Sequence, residues 1–180
     1  MSKFVLLDRD GVINQRVPDG YVTEWAQFIF MPGALEGLRF LKENGYSAII
    51  VSNQACVGKG LLSPSKLDEI TQQFLKEIQA QGGAVCAVYY CPHREEEGCD
   101  CRKPKPGLLR RAQAEHHFDF ADTLLIGDSE SDLQAAHAVG SPALLISNDD
   151  TLQFGASPYR PRGVFPDLLA AARFLVEREE

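Results

Sequence analysis

Five short apolar runs punctuate this chain: FVLL at 4–7, SAIIV at 47–51, VCAVYY at 85–90, TLLIG at 123–127 and PALLI at 142–146. None alternates polar with apolar residues, so each reads as a strand buried on both faces. The segments between them carry helical periodicity. Leu35, Leu38 and Leu41 share one face of 33–44, which stops at Gly45. Leu67, Ile70, Phe74, Leu75 and Ile78 share a face of 64–81, with Ser63 placed to cap the helix before Pro64. Segments 107–117, 130–139 and 166–177 complete the series. Buried strands alternating with amphipathic helices predict an α/β fold, a central parallel sheet with helices on both faces. There is no internal repeat, linker or low-complexity tract, so residues 1–180 read as a single domain.

In such sheets ligands bind outside the carboxyl ends of the strands. The first run ends at Asp8 and Asp10, and the second at Ser52, Asn53 and Gln54. The third leads through a cysteine cluster to RKPKPG at 102–107, and the fourth ends at Asp128 within GDSESD. A parallel sheet gathers all of these along one edge. Carboxylates crowded there repel one another and call for a cation, and an oxygen-only donor set suits Mg2+. A metal, a hydroxyl and a lysine are what neutralising a phosphoryl group in transfer requires. One carboxylate can then attack phosphorus while the other, two residues on, moves the proton. The segment VGKGLL at 57–62 has neither the spacing nor the Ser/Thr of a Walker loop, which disfavours a nucleotide kinase.

The cysteine cluster CPHREEEGCDC holds Cys91, His93, Cys99 and Cys101 within eleven residues. Three thiolates and an imidazole form a closed tetrahedral Zn2+ set, a structural and not a catalytic pattern. We expect a zinc-binding loop at 91–101, its tip Arg94 to Glu97 solvated, fixing the cations that follow it. The other two of the five cysteines, Cys56 and Cys86, read as buried or half-buried thiols.

Net charge is −7, from 18 Lys+Arg against 25 Asp+Glu, which argues against a non-specific nucleic-acid partner. No run approaches the ~20 apolar residues of a bilayer span, and the first ten residues meet charge too early for a secretory signal. The expectation is a cytoplasmic protein, taken as a monomer, without a membrane or nucleic-acid partner.

LLDRDGVIN, VSNQ, CRKPKPG and IGDSESD resemble, in order, the four motifs of the haloacid dehalogenase (HAD) superfamily. The likeness spans residues 4 to 132, about three quarters of the chain. It implies a three-layer Rossmann-like fold and hydrolysis of a phosphate monoester through an aspartyl-phosphate. Asp8 would be the nucleophile and Asp10 the general acid and base. Ser52 and a lysine would grip the phosphoryl oxygens. Asp8, the Asp10 carbonyl and Asp128 would bind Mg2+. Lys103 and Lys105 both stand in the third motif; the resemblance puts the role on Lys103. Asp132 either backs the metal site or simply opens a helix.

The zinc loop, and the lack of room for a large cap domain, point to the small capless subgroup. It contains D-glycero-D-manno-heptose 1,7-bisphosphate phosphatases, which remove the 7-phosphate in lipopolysaccharide or other nucleotide-heptose biosynthesis, and histidinol-phosphate phosphatases. DGVIN…DGYV…FIFMPGALEGL resembles the heptose enzymes. By that likeness Arg102, Asn53, Gln54, Asp19, Gly20 and Tyr21 would contact substrate. The chain departs from the pattern at Ser52, where Thr is usual, at Ala55 and Cys56 for Ser-Gly, at Lys59 for Arg, and at Ser129 for a basic residue. Histidinol phosphate is the alternative substrate, and a catalytically silent zinc-stabilised binding module is the alternative of another class. Trp25 reads as a core or loop anchor before a pocket cover, His116 and His117 as helix-end residues, and His137 as a surface or packing residue.

Overall fold

The computed structural model describes residues 3–149, 151–154 and 157–177. Six parallel strands form one sheet: β1 (Lys3–Leu7), β2 (Tyr46–Asn53), β3 (Ala87–Cys91), β4 (Leu124–Gly127), β5 (Ala143–Ile146) and β6 (Val164–Phe165). Their order is β3-β2-β1-β4-β5-β6. The chain winds outward from β1 to β3, then crosses to the far side of β1 and winds the other way. The reversal lies between β1 and β4, where an open α/β sheet leaves its ligand crevice. That topology, not sequence proximity, brings the end of β1 beside the end of β4.

The helices are α1 (Ala34–Glu43), α2 (Ala55–Gly58), α3 (Pro64–Ala80), α4 (Gly107–His116), α5 (Glu130–His137) and α6 (Leu168–Glu177). Successive strand residues face opposite ways, so the sheet has two cores. Val5, Leu7, Ile50 and Ile126 pack against α1, α3 and α6. Leu6, Ile49, Val51 and Leu125 pack against α4 and α5. The Ser63 hydroxyl caps α3 by accepting from the Lys66 amide at 3.2 Å. The five expected strands and five expected helices are present, with ends within two residues of expectation. β6 was not expected: a two-residue strand has no period to read. None of the described helices is long and apolar enough to cross a membrane.

Phe74 is fully buried and stacks on Phe28, ring centroids 5.0 Å apart. Phe74→Ala is expected to cost about 3–5 kcal/mol, measured by denaturant unfolding, because the cavity cannot close around two facing rings.

Candidate active site

The floor of the site is a buried ion-pair chain at the ends of β1, β2 and β4. Asp8 continues the ladder of β1, donating its amide to the Ile126 carbonyl at 2.9 Å, so its side chain is fixed at the sheet edge. Lys103, 3% exposed, lies beneath it. Its ammonium reaches three acceptors: Asp8 Oδ1 at 3.1 Å, Asp132 Oδ1 at 2.6 Å and the Val51 carbonyl at 2.8 Å. Burial lowers the proton affinity of the lysine, but Asp132 and Asp8 outweigh it and raise the pKa above the ordinary value. For Asp8 burial dominates. Its carboxyl rises to about 7 even though Lys103 opposes the shift.

Asn53, at the end of β2, holds Lys103 by its backbone. The carboxamide oxygen accepts from the Lys103 amide at 3.0 Å, and its NH2 donates to the Lys103 carbonyl at 2.9 Å. Both backbone groups of one residue are thereby tied to one side chain, which sets where the lysine leaves the loop.

Asp10 lies in a different environment. Arg9 donates to both its oxygens at 2.9 and 3.2 Å, Asn14 donates at 2.8 Å, and Gln54 donates at 2.7 Å. Burial raises its pKa, but Arg9 and these hydrogen bonds win, holding the carboxyl below the usual range. Arg9 is fully buried, its guanidinium 5.8 Å from the ring centroids of both Phe28 and Tyr90. Two carboxylates two residues apart are thus pushed in opposite directions by their surroundings, the pattern that separates roles in an acid–base site.

Asp132 is completely buried at the start of α5. One oxygen takes Lys103; the other accepts from the Asp128 and Ser129 amides at 3.2 Å and from the Ser129 hydroxyl at 2.6 Å. A side chain at Gly127 would place its Cβ 2.4 Å from this carboxylate, so β4 must end in glycine. Gly11 has the same constraint more severely: φ is +87°, and a Cβ would fall 1.8 Å from an Asp128 oxygen.

Carboxylate oxygens of Asp8, Asp128 and Asp132 lie within 4.8 Å of one another. Hard oxygen donors in that compass fit a small divalent cation. Asp132 is completely buried, with both oxygens held by Lys103 and the start of α5. Asp8 lines the cavity and Asp128 is held by an exposed side chain, so these two are the carboxylates a cation could take. Asp128 is forked by Arg16, whose Nε and Nη2 donate to its two oxygens at 2.5 and 2.6 Å.

Above this floor opens a cavity of about 660 Å³. Asp8, Asp10 and Ser52 face it from below; Arg16, the 17–22 loop, Lys59 and Arg102 wall it. Lys59 donates to the Tyr21 hydroxyl at 2.9 Å and lies 5.2 Å from the Tyr21 ring centroid. A second hollow of about 390 Å³ shares Asn53, Arg102, Lys103 and Ser131 and extends to Cys99 and Glu95.

Cys91, at the end of β3, meets His93, Cys99 and Cys101 with ligand atoms mutually within 4.8 Å. Cys91 Sγ is 3.2 Å from Cys101 and 3.6 Å from both Cys99 and His93 Nδ1; Cys101 is 3.5 Å from Cys99 and 3.2 Å from His93. The sulfurs are too far apart for a disulfide, and all five cysteines are free. A tetrahedron of ~2.3 Å Zn–S bonds has edges of about 3.7 Å, close to these separations. The cluster fits zinc, and Arg102 and Lys103 follow it directly.

A family model described as HAD-hydrolase-like matches residues 100–171. The chain is 34% identical to a D-glycero-beta-D-manno-heptose-1,7-bisphosphate 7-phosphatase of Pseudomonas putida, over 97% of this chain and 99% of that one. It is also 34% identical to the Pseudomonas aeruginosa protein of the same name, over 98% and 100%. A crystal structure of the D,D-heptose 1,7-bisphosphate phosphatase from Bordetella bronchiseptica, complexed with magnesium and phosphate, superposes with a TM-score of 0.90 at 34% identity, covering 98% of this chain and 99% of that one. The chain belongs to the haloacid dehalogenase-like hydrolases. It is an enzyme of the phosphoric monoester hydrolase class.

The HAD-like frame makes it plain where each expected residue lies. Asp8, Asp10, Ser52, Asn53, Asp19, Gly20, Tyr21, Arg102 and Lys103 line the cavity. Asp128 joins them through Asp8 and Arg16. Gln54 does not line it; 1% exposed, it bridges Asp10 and the Ser52 hydroxyl (3.0 Å) from behind. Lys105 is exposed, donating to the Gly98 carbonyl at 2.8 Å, while Lys103 holds the buried position. Cys86 is exposed, contrary to expectation, because it precedes β3 at the sheet edge; Cys56 is buried. Trp25 stacks on Phe28 outside the cavity lining. His116 meets the Tyr89 hydroxyl at 3.0 Å, His117 ends α4 in a left-handed conformation, and His137 packs edge-on to Tyr159. The reading of the sequence missed Arg16, gave Arg9 no role and left Asp132 undecided. The one-turn spacing of Asp132 from Asp128 was the available signal.

Proposed function

We propose that this hydrolase removes the 7-phosphate of D-glycero-D-manno-heptose 1,7-bisphosphate through an aspartyl-phosphate on Asp8, in the biosynthesis of nucleotide-activated heptose. The observation that carries the chemistry is the pair Asp8 and Asp10 at one strand end, one beside Lys103 and the other under Arg9, Asn14 and Gln54. The substrate follows the names of relatives that match over nearly the whole chain.

Asp8 attacks phosphorus, and the bond from phosphorus to the sugar oxygen breaks. Asp10 gives that oxygen a proton; negative phosphoryl charge beside Asp10 raises its proton affinity above the resting state. Asp10 then takes a proton from water, which attacks the aspartyl-phosphate. The phosphorus–Asp8 bond breaks and inorganic phosphate leaves. Lys103 orients Asp8 throughout, Asn53 fixes Lys103, and the Ser52 hydroxyl donates to a phosphoryl oxygen. Mg2+ held by Asp8, Asp128 and the Asp10 carbonyl would neutralise charge on the transferring group.

Arg102, Lys59 and the 19–21 loop would hold the sugar and its other phosphate, and Gln54 would act through Asp10. We take residues 1–180 as one catalytic domain and the 91–101 zinc loop as the clip that sets Arg102 and Lys103. We take the enzyme to act as a monomer. The reduced thiols suit a cytoplasmic site.

The test is catalytic efficiency with and without Mg2+ on both heptose bisphosphate anomers, histidinol phosphate and fructose bisphosphate. The expected result is Mg2+-dependent turnover with a heptose bisphosphate preferred. Preference for histidinol phosphate would reassign the substrate, and absence of turnover on any ester would leave a binding module.

A further inference from the structure

We infer that Arg16 is a specificity residue that exchanges partners: it holds Asp128 until a divalent cation takes that carboxylate, then turns its guanidinium to a second anionic group of the substrate. This rests on the bisphosphate phosphatase reading above.

Arg16 and Asp128 are 112 residues apart in sequence, joined by two short parallel hydrogen bonds. Asp128 is also one of the two carboxylates a cation could take, once Arg16 gives it up. A guanidinium and a divalent cation on the same two oxygens exclude each other by charge and by space, since the fork covers both oxygens. The pair is easily broken from one side only. Asp128 is fixed at the end of β4, its side chain 12% exposed, whereas the Arg16 side chain is 55% exposed at the cavity rim. The arginine is therefore the partner that moves.

Once released, the guanidinium is left beside the cavity with two unpaired donors. Lys103 is spent on Asp8, Asp132 and Val51, so the released Arg16 would join Arg102 and Lys59 as a third cation at the cavity able to take an anionic group. A planar fork that fits a carboxylate fits two phosphate oxygens equally well. A ligand with one phosphate on the floor and another anionic group toward the rim offers that replacement; a monophosphate does not. Cation binding would thus ready the enzyme for doubly anionic substrates and make metal-free binding of them poor.

The test uses Arg16→Gln in the full chain. Mn2+ is titrated without substrate and followed by electron paramagnetic resonance. Separately, kcat/KM is measured on heptose 1,7-bisphosphate and on heptose 7-phosphate, which keeps the scissile group and lacks the second phosphate. Losing the competing fork should tighten Mn2+ binding about fivefold. Losing the second contact should lower the bisphosphate-to-monophosphate ratio of kcat/KM roughly tenfold. Mn2+ affinity equal to wild type, or an unchanged ratio, overturns the inference. If the wild type hydrolyses neither ester, the functional reading fails instead, and the Mn2+ titration alone decides whether Arg16 competes for the cation.

Discussion

Asp8→Asn is expected to lower kcat/KM by about 10⁴-fold or more, the scale seen when a covalent nucleophile is removed. The substitution keeps the shape of the side chain and deletes the attacking oxyanion. Lys103 loses one of its two carboxylate charges but keeps Asp132 at 2.6 Å and the Val51 carbonyl at 2.8 Å, so its charge stays compensated. The fold is therefore expected to stay within about 1 kcal/mol of wild type in denaturant unfolding. Zinc content should be unchanged, because the thiol cluster lies at the end of β3 and does not share a ligand with Asp8. Activity, unfolding midpoint and metal content measured together separate lost chemistry from a lost fold. Near-normal turnover in a folded Asp8→Asn protein would remove the nucleophile from the account.

Cys99→Ser is expected to release zinc and lower kcat/KM by about 10²-fold, the effect of misplacing a catalytic group by roughly an ångström. The route runs along the backbone. Arg102 and Lys103 follow Cys101 directly, and the Lys103 amide and carbonyl are already clamped by Asn53. With the clip open, the loop is left to Asn53 and to scattered hydrogen bonds such as Lys105 to the Gly98 carbonyl and the Gly107 amide to the Asp100 carbonyl. Lys103 would still find Asp132, so loss should be partial, and Arg102, at the rim, should be the more displaced. Metal analysis and kinetics on the same preparation check this. Unchanged zinc stoichiometry in the variant would exclude Cys99 as a ligand.

The parts of this enzyme that were legible in its sequence are those fixed by local patterning. Strands buried on both faces leave unbroken apolar runs, and the residue after each run must lie at the sheet edge, which is why Asp8, Ser52 and Asp128 could be placed together. The four zinc-ligand candidates lie within eleven residues and need no tertiary knowledge. What escaped depends on contacts across the chain. Nothing near Arg16 in sequence announces a partner 112 residues away. Gln54 follows Asn53 directly, yet one clamps Lys103 and lines the cavity while the other turns inward to Asp10, a difference set by strand pleat and the turn into α2. Arg9 reads as a charge between two acids; only the aromatic walls of Phe28 and Tyr90 reveal it as the buried cation that keeps Asp10 ionised.

The most direct measurement is acid quench of the wild-type enzyme during turnover with Mg2+, followed by peptide mass spectrometry. One phosphoryl group on the peptide carrying residues 4–14, located to Asp8 and absent from Asp8→Asn, is the expected result. Steady turnover with that peptide unmodified at every quench time, and phosphate released directly by water, would contradict a covalent mechanism at the end of β1.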